Sequence, residues 1–228
     1  MQAAQLAHAE PAKTVAPAFV RDPIVIVGAG PVGMRLLRLL GQSEPDLPVM
    51  VFGDEPCDPY NRIQLSGLLA GSHNVQDLSL TGDLTAGGAK AACLVRARVE
   101  SIDPQQRTIT DAAGLRLRYS KLVLATGSRP YVPAVPGASL NHVYTFRDMS
   151  DAEKLAARRV QSKHTVVLGA GLLGVEAARG MQRHNTRVTL VDHNSHPMYR
   201  QLDESAGALL AKELTDRGVD LVLGSSLR

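Results

Sequence analysis

Short apolar runs alternate with amphipathic stretches over most of the chain, and the first of them opens a repeated pattern. Residues 24–27 are Ile-Val-Ile-Val, a β-branched run typical of a strand that is buried on both faces. The loop Gly28-Ala29-Gly30-Pro31-Val32-Gly33 follows, and then residues 34–40, whose leucine spacing predicts a helix packed on a sheet. Residues 49–52 form a second apolar run. Strand, helix and strand in this order predict a βαβ unit and therefore a parallel sheet.

The same pattern returns in the second half of the chain. Residues 165–168 form an apolar run that leads into Gly169-Ala170-Gly171-Leu172-Leu173-Gly174 and then into a helix that should extend to about Arg183. The next predicted strand, residues 187–191, ends at Asp192. A helix over residues 203–216 and a strand over residues 219–223 should follow. The sequence therefore predicts an α/β fold with two βαβ units.

The stretch between the two patterns is less regular. Residues 53–90 are rich in Gly, Pro, Asn and Asp, which predicts loops and short helices. Further along the chain, strands are predicted at residues 94–102, 107–111, 115–119 and 122–125, and a helix at residues 151–160. The prolines between residues 130 and 136 disfavour both kinds of element, so this segment is predicted to be a connection.

Composition adds little to the picture but excludes several classes. The 228 residues are 44% hydrophobic and 21% charged, which is ordinary for a soluble globular protein. The formal charge of +3 is spread without a basic block, so we expect no nucleic-acid and no membrane partner. Two cysteines, Cys57 and Cys93, argue against a disulfide framework and favour a cytoplasmic location. The seven histidines lack the spacing of metal ligands, and no metal site is expected.

Residues 1–21 are predicted to be a flexible leader. They are rich in Ala and Pro, and Glu10 and Lys13 interrupt the only stretch that could serve as a signal peptide. No apolar run in the chain reaches the roughly 18–20 residues that a transmembrane helix requires.

The two glycine-rich loops match a pattern that binds the pyrophosphate of a dinucleotide. In G-x-G-x-x-G, the first glycine permits a tight turn, the second lets the phosphate approach the backbone, and the third lets helix and strand pack closely. Each loop is also followed by an acid at the end of the next strand, where a carboxylate can accept hydrogen bonds from a ribose. These acids are Asp54 and Glu55 after the first loop and Asp192 after the second. The alternative is two glycine turns that only close a fold.

Asp192 also bears on the choice between NADH and NADPH. A carboxylate at the end of this strand would repel the 2′-phosphate of NADPH, so the sequence favours NADH. His193 and Arg200 leave NADPH open, because a nearby cation could accommodate the phosphate.

Two dinucleotide motifs with Ala125-Thr126-Gly127 between them resemble the FAD-dependent pyridine-nucleotide reductases. Within that family, residues 54–62 and the pair Leu65-Ser66 are similar to the branch that lacks a redox disulfide. This branch includes rubredoxin and ferredoxin reductases and the flavin module of NAD(P)H-dependent nitrite reductase large subunits. The nitrite reductase type is the one most resembled, through Tyr60-Asn61-Arg62, Leu69-Ala70-Gly71 and residues 200–203. The resemblance implies a glutathione-reductase-like FAD/NAD(P) fold with two Rossmann-like domains.

The resemblance also implies a domain division and a set of cofactor-binding residues. Residues 22–142 would be an FAD-binding domain without its C-terminal return segment, and residues 143–228 the N-terminal part of an NAD(P)H-binding domain. FAD would be held by Gly28, Ala29, Gly30, Pro31, Val32 and Gly33, by Asp54 or Glu55 at the adenosine ribose, by Arg62 at the phosphates or ribose, by the Val99 backbone at the adenine, and by Ala125, Thr126, Gly127 and Arg129. NADH would be held by Gly169, Ala170, Gly171, Leu172, Leu173, Gly174 and Asp192. Glu176 resembles an acid near the nicotinamide and flavin, the alternative being an ordinary surface glutamate.

The function that this resemblance implies is transfer of hydride from NADH to FAD and of electrons onward to an acceptor. The acceptor would be a rubredoxin-like or ferredoxin-like protein, or a siroheme and iron–sulfur module of a nitrite reductase. Gly67 stands where several relatives carry a lysine near the flavin or a redox cysteine, so peroxide or disulfide chemistry through a cysteine there is excluded. Two alternatives remain at this point: a truncated nucleotide-binding or regulatory flavoprotein fragment without turnover, and a dehydrogenase that uses NAD alone.

Overall fold

The structure is a computed structural model that describes residues 21–82, 91–182 and 186–226. Apart from Arg21, the predicted leader lies outside the described residues. The chain forms two compact units, one built from residues up to Pro59 together with Leu80–Thr126, the other from Tyr60–Ser79 together with residues from Gly127 onward. These units do not follow the expected division at residue 142, because residues 60–79 and 127–142 group with the second half of the chain. The assignment of a cofactor to each half stays a prediction.

In its described residues, the first unit contains a parallel sheet, a small antiparallel sheet and a long helix. Its elements are β1 (Ile24–Val27), α1 (Pro31–Ser43), β2 (Val49–Phe52), β3 (Ala92–Val95), β4 (Val99–Asp103), β5 (Thr108–Asp111), β6 (Arg116–Arg118) and β7 (Lys121–Leu124). The parallel sheet has the strand order β3-β2-β1-β7. The βαβ prediction is confirmed, and the second strand has the predicted bounds.

The apolar runs of β1 and β2 are continuous because both faces of this sheet are covered. On one face, Met34 and Leu37 of α1 are fully buried against Ile26, Val49 and Val51. The other face packs against the antiparallel sheet through a cluster of buried residues, which are Val25, Met50, Phe52, Val95, Ile109 and Tyr119. The sheet therefore has the layered core of a Rossmann-like unit.

The predicted strand over residues 94–102 is wrong as a single element. Its first half is β3, which pairs with β2 in the parallel sheet, and its second half is β4, which pairs with β5 in the antiparallel order β4-β5-β6. Val95 is the last residue of β3 in register with β2, opposite Phe52. The chain changes sheets over residues 96–98. The apolar pattern cannot show where the chain passes from one sheet to the other, because a strand in either sheet has the same alternation of buried and exposed residues.

The second unit holds a three-stranded parallel sheet with the order β10-β9-β8. Its elements are two short 3-10 helices (Arg62–Gln64 and Gln76–Leu78), α2 (Leu65–Ala70), α3 (Met149–Arg159), β8 (His164–Leu168), α4 (Leu172–Met181), β9 (Arg187–Val191), α5 (Glu204–Asp216) and β10 (Val219–Val222). α3 and α5 begin at aspartates whose carboxylates accept a backbone N–H of the first turn: Asp148 from Asp151, and Asp203 from Ala206. The helix predicted to reach about Arg183 ends at Met181, and Arg183 lies outside the described residues.

Segment 60–79 is part of the second unit and packs on the rest of that unit through buried contacts. Leu69 of α2 is buried in the same core cluster as Ala178 and Met181 of α4. A Cβ added to Gly180 would lie 2.8 Å from Leu69 Cγ, so the two helices touch at this glycine. Tyr60 is also buried, and its hydroxyl accepts the backbone N–H of Met149 at 2.9 Å. Nothing in the local sequence pattern predicts this long-range attachment.

No helix in the described part of the chain combines the length and the apolar character that a bilayer crossing requires.

Candidate functional site

The first glycine-rich loop leaves β1 at its carboxyl end, as predicted. Gly28 has a φ of +118°, and its N–H donates to Phe52 O at 2.7 Å. A Cβ at Gly28 would lie 2.1 Å from Ala125 O, and one at Gly33 would lie 1.9 Å from Gly28 O. Both positions therefore require glycine, the first for its backbone angle and both for space.

The Ala125-Thr126 segment meets this loop at the same edge of the sheet. β7 pairs with β1 in register up to Leu124 opposite Val27, and Ala125 N–H then donates to Val27 O at 2.8 Å. On the other side of β1, a Cβ on Gly53 would lie 2.9 Å from Ala29 Cβ. The residues after β1, β2 and β7 thus converge at the carboxyl edge of the sheet, where ligands of open α/β sheets bind. Asp54 follows Gly53 directly and is exposed, and Glu55 is half-buried.

The start of α1 presents an uncapped helix N-terminus at this edge. Gly30 is the N-cap residue and has no side chain to bond the first turn, while Pro31 occupies the first turn. The first N–H groups of a helix have no partner within it, and they carry its positive dipole end. Val32 beside them is 72% exposed. This combination suits a pyrophosphate, because the N-cap residue Gly30 makes no side-chain bond to the first turn.

The second loop repeats the arrangement at the end of β8. Gly169 has a φ of +100° and donates its N–H to Val191 O at 2.8 Å, and a Cβ at Gly174 would lie 1.8 Å from Gly169 O. Gly171 is the uncapped N-cap residue of α4, and a Cβ there would meet nothing within 4 Å. Leu172 is 57% exposed beside it. The space in front of this helix is open to a ligand.

Asp192 is less exposed than the acids after the first loop, at 7%, and both of its carboxylate oxygens accept hydrogen bonds. One carboxylate oxygen accepts the N–H of Ala170 at 2.5 Å, and the other accepts the backbone N–H and the side-chain amide of Asn194, each at 2.8 Å. Burial alone would raise the pKa of Asp192. The hydrogen bonds from Asn194 and Ala170 and the nearby His193 ring outweigh burial, so the pKa lies below its ordinary value. Asp192 is therefore a charged group that stabilises the second loop by accepting the backbone N–H of Ala170.

Glu176 lies on α4, half-buried, and lines a cavity of about 650 Å³ within the second unit. Ser66 and Gly67 of α2 line the same cavity. A Cβ at Gly67 would lie 2.1 Å from His73 Nδ1, so the imidazole of His73 fills the space that a side chain at position 67 would need. Glu176 thus faces the segment that carries the predicted flavin-proximal position.

The remaining predicted residues are placed by the structure as follows. Val99 starts β4 in the first unit, opposite Asp111 and next to an irregularity in the strand register. Arg62 begins a 3-10 helix of the second unit, with its guanidinium carbon 5.8 Å from the centre of the Tyr60 ring. Arg129 is exposed in the connection that follows Gly127. The roles of these three residues toward a nucleotide stay predictions.

Arg147 contacts the segment that follows Gly127, which the sequence did not reveal. Its guanidinium donates to the Ser128 hydroxyl at 2.9 Å and to Ser128 O at 3.2 Å. It therefore fixes the residue after Gly127, which itself has a φ of +71°. Arg147 directly precedes Asp148, the N-cap residue of α3, and this position does not predict a contact with Ser128.

Within the described ranges, no group of three or more His, Cys, Asp and Glu residues could hold a metal ion. Cys57 and Cys93 are half-buried and form no disulfide, and burial raises the pKa of the Cys93 thiol.

Two uncapped helix N-termini, each joined to a parallel strand by a glycine-rich loop, define a class of protein that binds two dinucleotides. Residues 22–228 match the family model of the pyridine nucleotide-disulphide oxidoreductases, and the chain belongs to this family. The predicted glutathione-reductase-like FAD/NAD fold is confirmed, and the family binds FAD and NAD(P)H.

Among curated proteins, the chain is 34% identical over 204 residues to a nitrite reductase (NAD(P)H) of Bacillus subtilis, covering 89% of this chain and 25% of the relative. It is 28% identical to a nitric oxide reductase FlRd-NAD(+) reductase of Aliivibrio fischeri, covering 90% of this chain and 54% of the relative. A ferredoxin reductase structure from Rhodopseudomonas palustris matches with a TM-score of 0.82 and 29% identity, over 90% of this chain and 50% of that one. The chain thus spans between a quarter and about half of the length of these proteins.

Proposed function

We propose that the chain is an FAD-dependent oxidoreductase that takes hydride from NADH and passes electrons to an acceptor protein or module. The observation that carries this proposal is the pair of glycine-rich loops, each ending at an uncapped helix N-terminus at the carboxyl edge of its own parallel sheet. A single loop would suit any nucleotide-binding protein. Two loops support a protein that binds both a flavin and a nicotinamide nucleotide. Ala125-Thr126 lies against the first loop only, which favours the first loop as the flavin site.

The residues around the first loop fit FAD. Gly28 and Gly33 keep the loop tight, the N-terminus of α1 can receive the pyrophosphate, and Asp54 or Glu55 can accept hydrogen bonds from the adenosine ribose. Arg62, Val99 and Arg129 are proposed to complete the site as the family resemblance implies. When bound, the flavin supplies the step between two-electron and one-electron transfer, and the protein contributes placement and electrostatics.

The residues around the second loop fit NADH better than NADPH. Asp192 is buried and ionised at neutral pH, so a 2′-phosphate beside it would bring a second negative charge into a poorly solvated place. The oxygen that accepts Ala170 N–H keeps a second lone pair, which is available to a ribose hydroxyl. Glu176 is proposed to lie near the nicotinamide end of the same nucleotide.

The proposed acceptor is a small redox protein of the rubredoxin or ferredoxin type, or a siroheme and iron–sulfur module. The relatives named above are a nitrite reductase, a nitric oxide reductase FlRd-NAD(+) reductase and a ferredoxin reductase. A cytoplasmic location is proposed with this function.

The test is anaerobic reduction of the purified protein. FAD-loaded protein should be yellow, and NADH added under argon should bleach the visible flavin band faster than equal NADPH does. A protein that binds FAD and NADH without bleaching would be a nucleotide-binding module. A protein that is colourless after incubation with FAD and removal of the unbound FAD by gel filtration would overturn the proposal.

Gly171→Val provides the matched variant for this test. The added side chain enters open space, so stability should fall by no more than about 1 kcal/mol, the cost of a poorer N-cap residue. FAD binding should be unchanged, while reduction by NADH should be lost because the side chain occupies the place of the pyrophosphate. Undiminished bleaching in this variant would exclude the second loop as the NADH site.

A further inference from the structure

One guanidinium joins the C-terminal ends of two helices in the second unit. Arg159, the last residue of α3, directs one nitrogen, Nη1, to two carbonyl oxygens. One is Leu69 O near the end of α2, and the other is Gly180 O near the end of α4, at 3.0 Å. The carbonyls of a final helical turn lack partners within the helix and carry its negative dipole end, so a cation between two of them is favourable at both.

The contact lies at a point where α2 and α4 touch. A Cβ at Gly180 would lie 2.8 Å from Leu69 Cγ, which leaves no room for any side chain larger than hydrogen. α2 has only six residues and ends at Gly71 with a φ of +80°. A helix this short has little stability of its own and depends on such tertiary contacts for its position.

The same two helices line the cavity beside Glu176. Ser66 and Gly67 of α2 and Glu176 of α4 line one cavity, so the relative position of the helices sets its width. The glycine-rich loop at the start of α4 is held separately, by Gly169 N–H on Val191 O and by Asp192 on Ala170 N–H. A change at Arg159 should therefore move α2 and leave the pyrophosphate-binding loop in place.

We propose that Arg159 is a positioning residue that fixes α2 on α4 and so sets the geometry around Glu176 for hydride transfer. This inference rests on the proposed function. The proposal predicts that loss of the Arg159 contact lowers the rate of flavin reduction by bound NADH but leaves the affinity for NADH unchanged. A general loss of stability would lower both.

Arg158 is the matched control. It is the neighbouring arginine on α3, and its guanidinium donates to the Tyr144 hydroxyl at 3.0 Å and to Gln161 Oε1 at 3.4 Å, away from both helix ends. Arg159→Met and Arg158→Met remove the same charge and the same hydrogen-bonding group from the same helix turn. Arg159→Lys retains a cation that can reach the carbonyls through a single ammonium.

Two measurements test this proposal. Stopped-flow under argon gives the rate of flavin reduction, and amide hydrogen exchange reports how firmly α2 is held. For Arg159→Met, we expect the limiting reduction rate to fall about tenfold, as small misplacements of reacting groups do, with the NADH dissociation constant within about twofold of the wild type. Exchange of the amides of residues 65–73 should rise about tenfold, the equivalent of one lost hydrogen bond. Arg159→Lys should recover most of the rate, and Arg158→Met should match the wild type in all three measurements.

Equal rates in Arg159→Met and the wild type would overturn the proposal, and so would parallel losses of rate and affinity in both methionine variants. If Arg159→Met does not fold, Arg159→Gln replaces it, and unchanged exchange and rate in that variant would likewise overturn it. The exchange measurement is made without nucleotide. A failure of the wild type to be reduced by NADH would therefore count against the proposed function, while exchange still decides whether Arg159 holds α2.

Discussion

The two glycine-rich loops share one spacing but are held in place by different means. In the first unit β1 is an inner strand, with β2 on one side and β7 on the other, and Gly28 packs against the backbone of Ala125. In the second unit β8 is the last strand in the order β10-β9-β8 of the described residues, and a Cβ at Gly169 would meet nothing within 4 Å. In the first loop the Ala125 backbone lies against Gly28, whereas in the second loop Ala170 is bonded by the Asp192 carboxylate and by the backbone N–H of Met198.

This difference shows that one motif can impose unequal constraints on its glycines. The third glycine is fixed by the loop itself, since its Cβ would strike the first glycine's carbonyl in both copies. The first glycine is fixed by its neighbours in the sheet, and these differ between the copies. Sensitivity to substitution should therefore be equal at the third position and unequal at the first.

The largest expected effect is on folding, at the third glycine of either loop. Gly33→Ala and Gly174→Ala would each place a Cβ within 2 Å of a carbonyl oxygen that cannot move without separating helix from strand. We expect each change to lower the free energy of unfolding by more than about 4 kcal/mol, measured by urea denaturation. Gly171→Ala, in open space, is the control and should cost at most about 1 kcal/mol. A fully stable Gly174→Ala protein would show that the described helix–strand contact is wrong.

The comparison is sharpest at the first glycine. Gly28→Ala combines a positive φ with an approach of 2.1 Å to Ala125 O, whereas Gly169→Ala has only the positive φ. The expected losses in unfolding free energy are about 3 kcal/mol or more for Gly28→Ala and about 1–2 kcal/mol for Gly169→Ala. The same urea titrations measure both. Equal losses at the two positions would mean that the neighbouring strand does not close the first loop.

Much of the fold can be predicted from the local sequence pattern, but the different surroundings of Gly28 and Gly169 cannot. β2 and β9 have the predicted bounds because their apolar runs end at residues that leave the sheet, and both glycine-rich loops lie between a strand and a helix as predicted. Whether a strand has one neighbour or two depends on segments far away in the chain. Local spacing around Gly28 and Gly169 contains no information about this.

Long-range contacts also explain why the place of residues 60–79 could not be predicted. Tyr60 bonds Met149 across 89 positions of sequence, and Arg159 bonds Leu69 across 90. Neither pair belongs to a periodic pattern or to a known motif. The geometry of the two glycine-rich loops was predictable because it is encoded within six residues, whereas Arg147 and Arg159 bond segments that only the fold brings to them.

Asp192 should show an intermediate effect with a defined pH dependence. Its pKa is lower in the folded state, so its ionised form contributes stability above the unfolded pKa of about 3.9, and this contribution is lost as the pH falls through the folded value. Asp192→Asn should therefore lower the free energy of unfolding by about 2 kcal/mol at pH 7, the value of charged hydrogen bonds. The difference from the wild type should shrink as the solution is acidified below the unfolded pKa.

Asp54→Asn is the matched change at the first loop. Asp54 is exposed, and its replacement should alter stability by less than about 0.5 kcal/mol. Denaturation at neutral and acidic pH checks both variants, and binding titrations should show a smaller preference for NADH over NADPH in Asp192→Asn alone. A difference between Asp192→Asn and the wild type that is the same at both pH values would contradict a charged brace at the second loop.

The smallest effects on stability should come from the exposed apolar residues that begin each helix, yet these changes can assign a nucleotide to each loop. Val32→Thr and Leu172→Thr remove apolar surface that faces solvent, so each should alter the unfolding free energy by less than about 0.5 kcal/mol. If a bound nucleotide covers about 40 Å² of that surface, its affinity should fall about fivefold. Val32→Thr should weaken FAD and spare NADH, and Leu172→Thr should do the reverse, as measured by calorimetric titration of each nucleotide. Equal losses for both nucleotides in one variant would mean that the loops do not divide the two cofactors between them, because a local change at one helix start can reach only the ligand that lies against it.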